Sequence, residues 1–341
     1  MSDRTLVSSK VTQMLRQLLW AILAFILVTA CGADHSQVSP VRSSDATQTA
    51  PSDNVRLVKH MMGETQVPVN PQRLITLDVN YLSNALVLGI QPVGSTAWYD
   101  ISEQTGLDPI KPYLDDRAQE LTIVGYGSEV NLEKVLLLKP DLILGNNNHE
   151  AIYEQLSRIA PTVLSDYSSD SNRSWKDLMR FSAQVLGKTQ EAEKLLNNYY
   201  QRTQELRQKM GDRASNIQVS VINPDSNGIY LLYRGSLSGS VLEDVGLSRP
   251  PEQDKDGRTS LLVSFEFIPQ MDGDVIFVIS FMDEDSLDLV NQLKNQPLWS
   301  QLEAVKQGKV YPVDAQHWYG WDIVRVNLIL DDLFKYLLDE E

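Results

Sequence analysis

Residues 189–210, TQEAEKLLNNYYQRTQELRQKM, predict one uninterrupted helix in the second half of the chain. The segment holds 22 residues before Gly211, and a helix of that length spans ~33 Å, about the width of a domain. Its packing positions recur every three or four residues, as expected for a helix with one buried face. These positions are Ala192, Leu195, Leu196, Tyr199, Tyr200, Thr203 and Leu206. We expect this helix to join two separate lobes.

Units of strand, helix and strand precede the long helix. Residues 74–77 and 91–95 are predicted strands on either side of a predicted helix over residues 81–88, which Gly89 ends. Another predicted helix, residues 131–138, stops at a Lys-Pro pair and leads into the apolar strand 141–144. A strand that returns through a helix to a second strand builds a parallel sheet.

A second set of strands and helices follows the long helix and ends in an amphipathic helix over residues 322–338. The predicted fold is therefore α/β, with two Rossmann-like lobes of mostly parallel sheets joined by one long α-helix. We place the N-terminal lobe at residues 55–186, the connecting helix at 187–211 and the C-terminal lobe at 212–341.

The N-terminus has the features of an export signal. Three basic residues precede the apolar run of residues 18–30, LLWAILAFILVTA, which at 13 residues is shorter than the ~20 needed to cross a bilayer. The run ends in Val28-Thr29-Ala30-Cys31, which resembles the bacterial lipobox, so we predict a signal peptide over residues 1–30 and a lipid on Cys31. Residues 31–54 are poor in large apolar residues and are predicted to be a disordered tether.

Composition excludes several classes of function. The chain has 30 basic and 45 acidic residues, a formal net charge of -15, so no nucleic-acid partner is expected. Its single cysteine permits no internal disulfide. Its four histidines are scattered and do not form a metal-binding cluster, so we expect no metal site made by the protein alone.

Four segments, in this order, resemble the substrate-binding proteins of ABC importers for iron-siderophores and vitamin B12. They are residues 70–77 (NPQRLITL), 88–94 (LGIQPVG), 131–144 (NLEKVLLLKPDLIL) and 158–162 (RIAPT). The resemblance covers nearly all of the chain after residue 55. It implies a monomeric binding protein without catalytic residues or a permanent cofactor, held at the bacterial membrane and carrying one metal chelate between its lobes.

The resemblance also gives roles to two acidic residues. Glu133 and Glu266 each open a predicted helix, one in each lobe. In the family, the matching acids dock on arginines of the membrane permease. A simpler interpretation is that each acid is favoured by the dipole of its helix.

Ligands of parallel α/β lobes bind in the loops beyond the carboxyl ends of strands. Aromatic and amide side chains cluster in four such loops, as expected for a site that holds an organic chelate. The predicted ligand-binding residues there are Trp98, Tyr126, Asn148, His317, Trp318 and Tyr319, and Tyr99 lies in the same loop as Trp98. For about half of these aromatic residues, packing between the lobes explains the pattern equally well.

Two arginines complete the predicted site. Arg234 follows the predicted strand 229–233, and Arg258 precedes Thr259 and Ser260. By resemblance to hydroxamate-siderophore binders, both fall on pocket-lining loops, where a guanidinium would hold carboxylate or hydroxamate oxygens. The expected ligand is therefore a ferric siderophore of hydroxamate or citrate-hydroxamate type.

Other functions stay open at this point. Cobalamin or haem suits the same fold, and Tyr126, His149 or His317 would be the axial ligands of a haem. Direct ferric binding by Tyr199 and Tyr200 is disfavoured, since neighbours on a helix point about 100° apart. An exported hydrolase is also disfavoured, because residues 235–239, GSLSG, have leucine where a nucleophile elbow has serine.

Overall fold

The computed structural model describes residues 54–98, 110–111, 121–166 and 174–338. All of these residues fall in one unit of the chain, Pro51–Glu341. The predicted signal peptide, Cys31, nearly all of the predicted tether and Tyr99 lie outside the described residues. Among the described helices, none is long and apolar enough to cross a membrane.

The N-terminal lobe is built on a six-stranded sheet with the strand order β6-β5-β4-β3-β7-β8. Every neighbouring pair is parallel except β5 and β6. The strands are β3 (Leu74–Thr76), β4 (Gly94–Ala97), β5 (Thr122–Tyr126), β6 (Glu129–Val130), β7 (Leu142–Asn146) and β8 (Thr162–Ser165). A hairpin of β1 (Val55–His60) and β2 (Gly63–Pro68) precedes this sheet.

The helices of this lobe begin where the sequence offers a capping side chain. Asp78 accepts a hydrogen bond from the backbone N–H of Asn80 and starts α1, and Asn131 accepts one from Lys134 and starts α2. Such caps satisfy N–H groups that have no partner within the helix. The helices are α1 (Val79–Val87), α2 (Leu132–Leu137), α3 (Tyr153–Ile159) and α4 (Trp175–Leu186), with a 3₁₀ helix at Asn147–Ile152.

The long connecting helix is α5, Thr189–Met210, and its predicted bounds are confirmed. Gly187 adopts a left-handed conformation with φ of 71° and separates α5 from α4, a role that glycine fills without steric strain. Five of the seven predicted packing positions of α5 are buried, and Leu195 and Tyr200 are half-buried against the same core. The buried residues of α5 are Ala192, Leu196, Tyr199, Thr203, Leu206 and Met210.

The C-terminal lobe has a five-stranded sheet with the order β11-β10-β9-β12-β13. The pairs β9–β12 and β12–β13 are parallel, whereas β10 pairs antiparallel with both β9 and β11 and is the one reversed strand of this described sheet. The strands are β9 (Val219–Asp225), β10 (Gly228–Leu232), β11 (Ser260–Val263), β12 (Val275–Ser280) and β13 (Val310–Asp314). The reversal of β10 matters for the site, because its carboxyl end lies toward the amino end of β9.

Helices pack around this second sheet. They are α6 (Arg213–Asn216), α7 (Leu237–Val245), α8 (Glu284–Lys294), α9 (Glu303–Lys306), α10 (Ala315–Trp318) and α11 (Ile323–Leu338), with 3₁₀ helices at Phe265–Met271 and Trp299–Gln301. The last helix, α11, also reaches the N-terminal lobe. Its Val324 packs in an apolar cluster with Val79, Leu82 and Leu86 of α1.

A polar contact on α5 also ties the lobes together. The carboxylate of Asp244 on α7 lies 2.6 Å from Nζ of Lys176 on α4 and accepts a hydrogen bond of 2.7 Å from the hydroxyl of Tyr199 on α5. Burial, followed by the charge of Asp244, raises the pKa of Tyr199 far above its ordinary value. The hydroxyl therefore remains a donor at any physiological pH.

Candidate functional site

Two predicted aromatic residues meet at the carboxyl end of the first sheet. Ala97 of β4 pairs in register with Tyr126 of β5, so Trp98 and Tyr126 end neighbouring parallel strands. Trp98 is half-buried, and Tyr126 is 39% exposed. Gly127, with φ of 55°, turns the chain after Tyr126 and donates its N–H to the carbonyl of Ala97 over 2.8 Å. These residues form one wall of the candidate site.

The loop after β7 contributes less to the candidate site than the wall formed by Trp98 and Tyr126. Asn148 is exposed, and its backbone N–H donates to the side chain of Asn146 over 3.1 Å. His149 is buried, and burial lowers its pKa, so the imidazole is neutral near neutral pH. Its Nδ1 faces the backbone N–H of Asn146. The buried ring does not suit the predicted role of an axial haem ligand, because a haem would have to enter the lobe.

The segment after β13 forms a second wall. His317 and Tyr319 are half-buried, and the Tyr319 ring stacks on Phe281 with centroids 6.3 Å apart. Burial first, then the neighbouring Tyr230, raises the pKa of Tyr319 to about 12, so its hydroxyl is a neutral hydrogen-bonding group. Trp318 corrects the prediction: it is 1% exposed, lies 4.9 Å from Phe277 and donates Nε1–H to Asp332. It is a core residue because successive residues of the helix α10 point about 100° apart, so Trp318 faces the core while His317 is half-buried.

Arg234 and Arg258 lie elsewhere on the second sheet. Leu231 pairs with Ile222, so the end of β10 lies ~10 Å along β9 from its carboxyl end. Arg234 is already occupied by acids, with Nε 2.6 Å from Asp254 and Nη1 3.6 Å from Asp256. Arg258 is exposed. The rule of carboxyl ends therefore does not place these arginines beside His317 and Tyr319, because it holds for parallel strands only.

A polar cluster that the sequence did not reveal joins the two walls. The backbone N–H of Trp321 donates to Oδ1 of Asn80 on α1 over 2.8 Å, and the guanidinium of Arg325 on α11 lies 4.6 Å from the ring centroid of Trp98. Burial raises the pKa of Asp78, next to Asn80, to about 6. The second acid of the cluster, Asp322, forms an ion pair with Arg325. A helix-cap signal was available in the sequence for both acids, because each precedes or begins a predicted helix. No pattern in the sequence pointed to Arg325, because only the tertiary fold brings its side chain to Trp98.

The two predicted docking acids are exposed in the first turns of short helices. Glu133 lies in α2, while Glu266 lies in a 3₁₀ helix where an α-helix was expected. Each acid has exposed large apolar residues within a few positions. These are Leu136 (59% exposed) and Leu137 (79%) beside Glu133, and Leu261 (37%), Leu262 (38%) and Phe267 (40%) beside Glu266.

Direct metal binding by the protein's own side chains finds no support in the described residues. Tyr199 is buried, packs edge-on against Trp175 at 4.9 Å and donates to Asp244, so it is not a ferric ligand in this arrangement. Over the described part of the chain, no three His, Cys, Asp or Glu side chains are grouped to hold a metal ion.

Comparison with known proteins gives one family. A periplasmic binding protein model matches residues 105–317. The "Probable siderophore-binding lipoprotein YfiY" of Bacillus subtilis is 33% identical over 330 residues, which cover 93% of this chain and 96% of that protein. The "Fe(3+)-citrate-binding protein YfmC" of the same organism is 28% identical over 87% of this chain and 88% of its own length. The crystal structure of Staphylococcus aureus SirA with staphyloferrin B has a TM-score of 0.68 and 29% identity, covering 83% of this chain and 98% of SirA.

Proposed function

The chain belongs to the periplasmic binding protein family, and we propose that it captures a ferric siderophore outside the cytoplasm and delivers it to an ABC importer. Members of this family bind substrates and do not transform them, so the protein is not an enzyme. The relatives named for siderophore and ferric citrate binding match nearly all of the folded chain, and they support iron chelates as its substrate class.

The observation that carries this proposal is the pair of aromatic walls on the two lobes. Trp98 and Tyr126 end neighbouring strands of the first sheet, and His317 and Tyr319 follow the last strand of the second. Arg325 against Trp98 and Trp321 against Asn80 bring the two walls together. Aromatic faces with a few polar tips suit an organic chelate with an apolar scaffold and oxygen-rich metal centre.

We propose a hydroxamate or citrate-hydroxamate siderophore as the ligand, contacted by Trp98, Tyr126, Asn148, His317 and Tyr319. Trp318 is omitted because its ring is in the core. Arg234 and Arg258 would take part only if the ligand extends along β10 and displaces Asp254 from Arg234.

Fluorescence titration tests the ligand. The soluble body, residues 55–341, would be titrated with ferric citrate-hydroxamate, ferric tris-hydroxamate, ferric catecholate, haem and cobalamin, using its intrinsic tryptophan emission. We expect saturable quenching by a ferric hydroxamate or citrate-hydroxamate and weaker binding of the iron-free chelate. Saturation by haem or cobalamin alone would keep the fold and refute the ligand. No response to any of them, together with hydrolysis of a chromogenic ester, would refute the binding function itself.

We also propose that Glu133 and Glu266 dock on basic residues of the importer. Both are exposed, and the apolar side chains beside each would be covered by a partner, since a charge contact alone is worth little at a surface. The test is uptake of ferric siderophore by cells that carry Glu133→Ala with Glu266→Ala. The matched control is Glu154→Ala with Glu303→Ala, which changes exposed acids that pair with Arg158 and Lys306. Normal uptake by the first variant at normal expression would refute docking.

The location proposed for the protein is the outer side of a bacterial membrane, with a lipid on Cys31 after removal of residues 1–30. A Cys31→Ser variant should then appear in the soluble exported fraction, whereas wild type should partition with membranes and carry the mass of a lipid. The lobes proposed for residues 55–186 and 212–341, linked by 187–211, should behave as one monomer in solution. Wild type that is soluble and unmodified would contradict the anchor.

A further inference from the structure

The guanidinium of Arg325 is fully buried where the two lobes meet. It forms an ion pair with Asp322, and the side chains of both residues are 0% exposed. Asp322 also caps α11, because its Oδ1 accepts the backbone N–H groups of Val324 and Arg325 over 2.9 and 3.0 Å. The acid is thereby held in place by the helix, and it fixes the orientation of the guanidinium.

The same guanidinium touches both walls of the candidate site. Its Nε donates to the carbonyl oxygen of Gln316 over 3.0 Å, one residue before His317. Its central carbon lies 4.6 Å from the centroid of the Trp98 ring, within the range of a cation–π contact. One side chain thus contacts a residue of the N-terminal lobe and the segment that carries His317 and Tyr319.

The backbone between the two contacts leaves room for this arrangement. Gly320 has φ of 119°, and a Cβ there would overlap Cδ of Arg325 and lie 3.2 Å from the Trp98 ring. The next residue, Trp321, is bonded through its N–H to Asn80 of α1. The segment of residues 316–321 is therefore held at both ends, by Arg325 and by the first lobe.

We infer that Arg325 is a positioning residue that presets Trp98 against the His317–Tyr319 segment for the bound chelate, an inference that rests on the proposed function. A buried ion pair is weak evidence of a stabilising role, since apolar groups of similar volume often replace such pairs without loss of stability. Lysine would not substitute, because one ammonium lacks the planar fork that pairs with Asp322, donates to Gln316 and stacks on an indole. Holding ligand-contacting groups in place before binding improves affinity by reducing the entropy lost on binding.

Two variants separate positioning from stability. Arg325→Lys keeps the charge and removes the fork. Asp322→Asn with Arg325→Met removes both buried charges, and asparagine still caps a helix. The matched control is Arg202→Lys, which changes another arginine against an aromatic ring, with Cζ 5.7 Å from Phe334 and with Asp331 as its acid partner.

Each variant would be measured in three ways. Fluorotryptophan labelling with fluorine NMR follows the Trp98 resonance, assigned by Trp98→Phe, and needs no ligand; of the 6 tryptophans in the sequence, Trp20 lies in the proposed signal peptide, so five resonances are expected. Calorimetric titration with ferric citrate-hydroxamate and with ferric tris-hydroxamate gives Kd. Thermal unfolding gives Tm.

Both Arg325 variants should shift the Trp98 resonance and weaken binding by about tenfold or more, while Tm of the double variant stays near that of wild type. The Arg202→Lys control should do neither. An unmoved Trp98 resonance together with a Kd within about twofold of wild type would overturn the inference. If wild type binds no chelate at all, the proposed function fails, and the Trp98 resonance still decides whether Arg325 positions that ring.

Discussion

Removing the Tyr199 hydroxyl should measure how firmly the connecting helix holds the two lobes. Tyr199→Phe deletes one donor to the Asp244 carboxylate and leaves its Lys176 partner, 2.6 Å away, in place. The aromatic ring is retained, so its edge-on contact with Trp175 should persist. The perturbation is therefore close to a single hydrogen bond.

The expected magnitude follows from the charge and burial of the acceptor. Hydrogen bonds to charged groups contribute about 1.5–3 kcal/mol, and the lower end applies here because Lys176 still pairs with the acid. The Asp244 side chain is 17% exposed, so water compensates for only part of the loss. A loss of about 1.5 kcal/mol corresponds to a Tm lower by about 2–3 °C, because a body of about 290 residues has an unfolding entropy of about 0.6 kcal/mol/K.

Urea and thermal unfolding of Tyr199→Phe, Asp244→Asn and the double variant would check the reasoning. The coupling energy between the two sites should be about 1 kcal/mol or more, as for residues in one hydrogen-bonded network. The control is Tyr200→Phe, whose hydroxyl interacts with Arg180, a residue that also pairs with Glu193 at the surface, and it should cost less than about 0.5 kcal/mol. A Tyr199→Phe variant as stable as that control, or a coupling energy of zero, would refute the reasoning.

Three further predictions concern two residues near the candidate site, Asp78 and Gly320, and the core residue Trp318. Burial raises the pKa of Asp78 to about 6, so the folded state binds the proton of this carboxyl group more tightly than the unfolded chain does. The contribution of Asp78 to stability is therefore greatest below about pH 4 and is lost by about pH 6. Asp78→Asn keeps a helix cap, and it should flatten that part of a Tm–pH profile and raise stability near neutral pH by up to about 3 kcal/mol; an unchanged profile would contradict the raised pKa. Trp318→Ala should lower the free energy of unfolding by about 3–5 kcal/mol in urea titrations, as loss of a core ring does, and a loss below about 1 kcal/mol would contradict its burial. Gly320→Ala should lower Tm and weaken chelate binding together. The added Cβ would overlap the Arg325 side chain, and a φ of 119° costs a residue other than glycine about 1–3 kcal/mol of backbone strain. An unchanged Tm would show that the backbone at Gly320 is not constrained.

The fold was predictable where one local pattern had only one structural solution. The three- and four-residue spacing in Thr189–Met210 predicted α5 with its bounds, and strand and helix alternation predicted the parallel part of both sheets. The antiparallel return of β10 was not predicted, because an apolar strand reads the same in either direction. Because of that reversal, Arg234, which resemblance alone had assigned to a pocket-lining loop, follows a strand end that lies about 10 Å along β9 from the carboxyl end of β9.

The candidate site was only partly predictable for a similar reason. The sequence predicted that His317, Trp318 and Tyr319 bind the ligand, and in the structure the short helix α10 places Trp318 in the core while His317 and Tyr319 are half-buried. The ion pairs of Arg234 were also not predictable from the sequence. Arg234 looked available to a ligand until Asp254 and Asp256, twenty or more residues later, were seen beside it.

By itself, then, the amino-acid sequence determined the class of fold, the long helix between two lobes, the family and the loops that carry aromatic residues. These properties depend on periodicity and on the order of short segments, which are local along the chain. The tertiary structure decided which of those residues are buried, which are exposed and how the two walls are held. Arg325 reaches Trp98, and Asn80 reaches Trp321, across more than two hundred positions of sequence, and only packing of the whole chain brings such groups into contact.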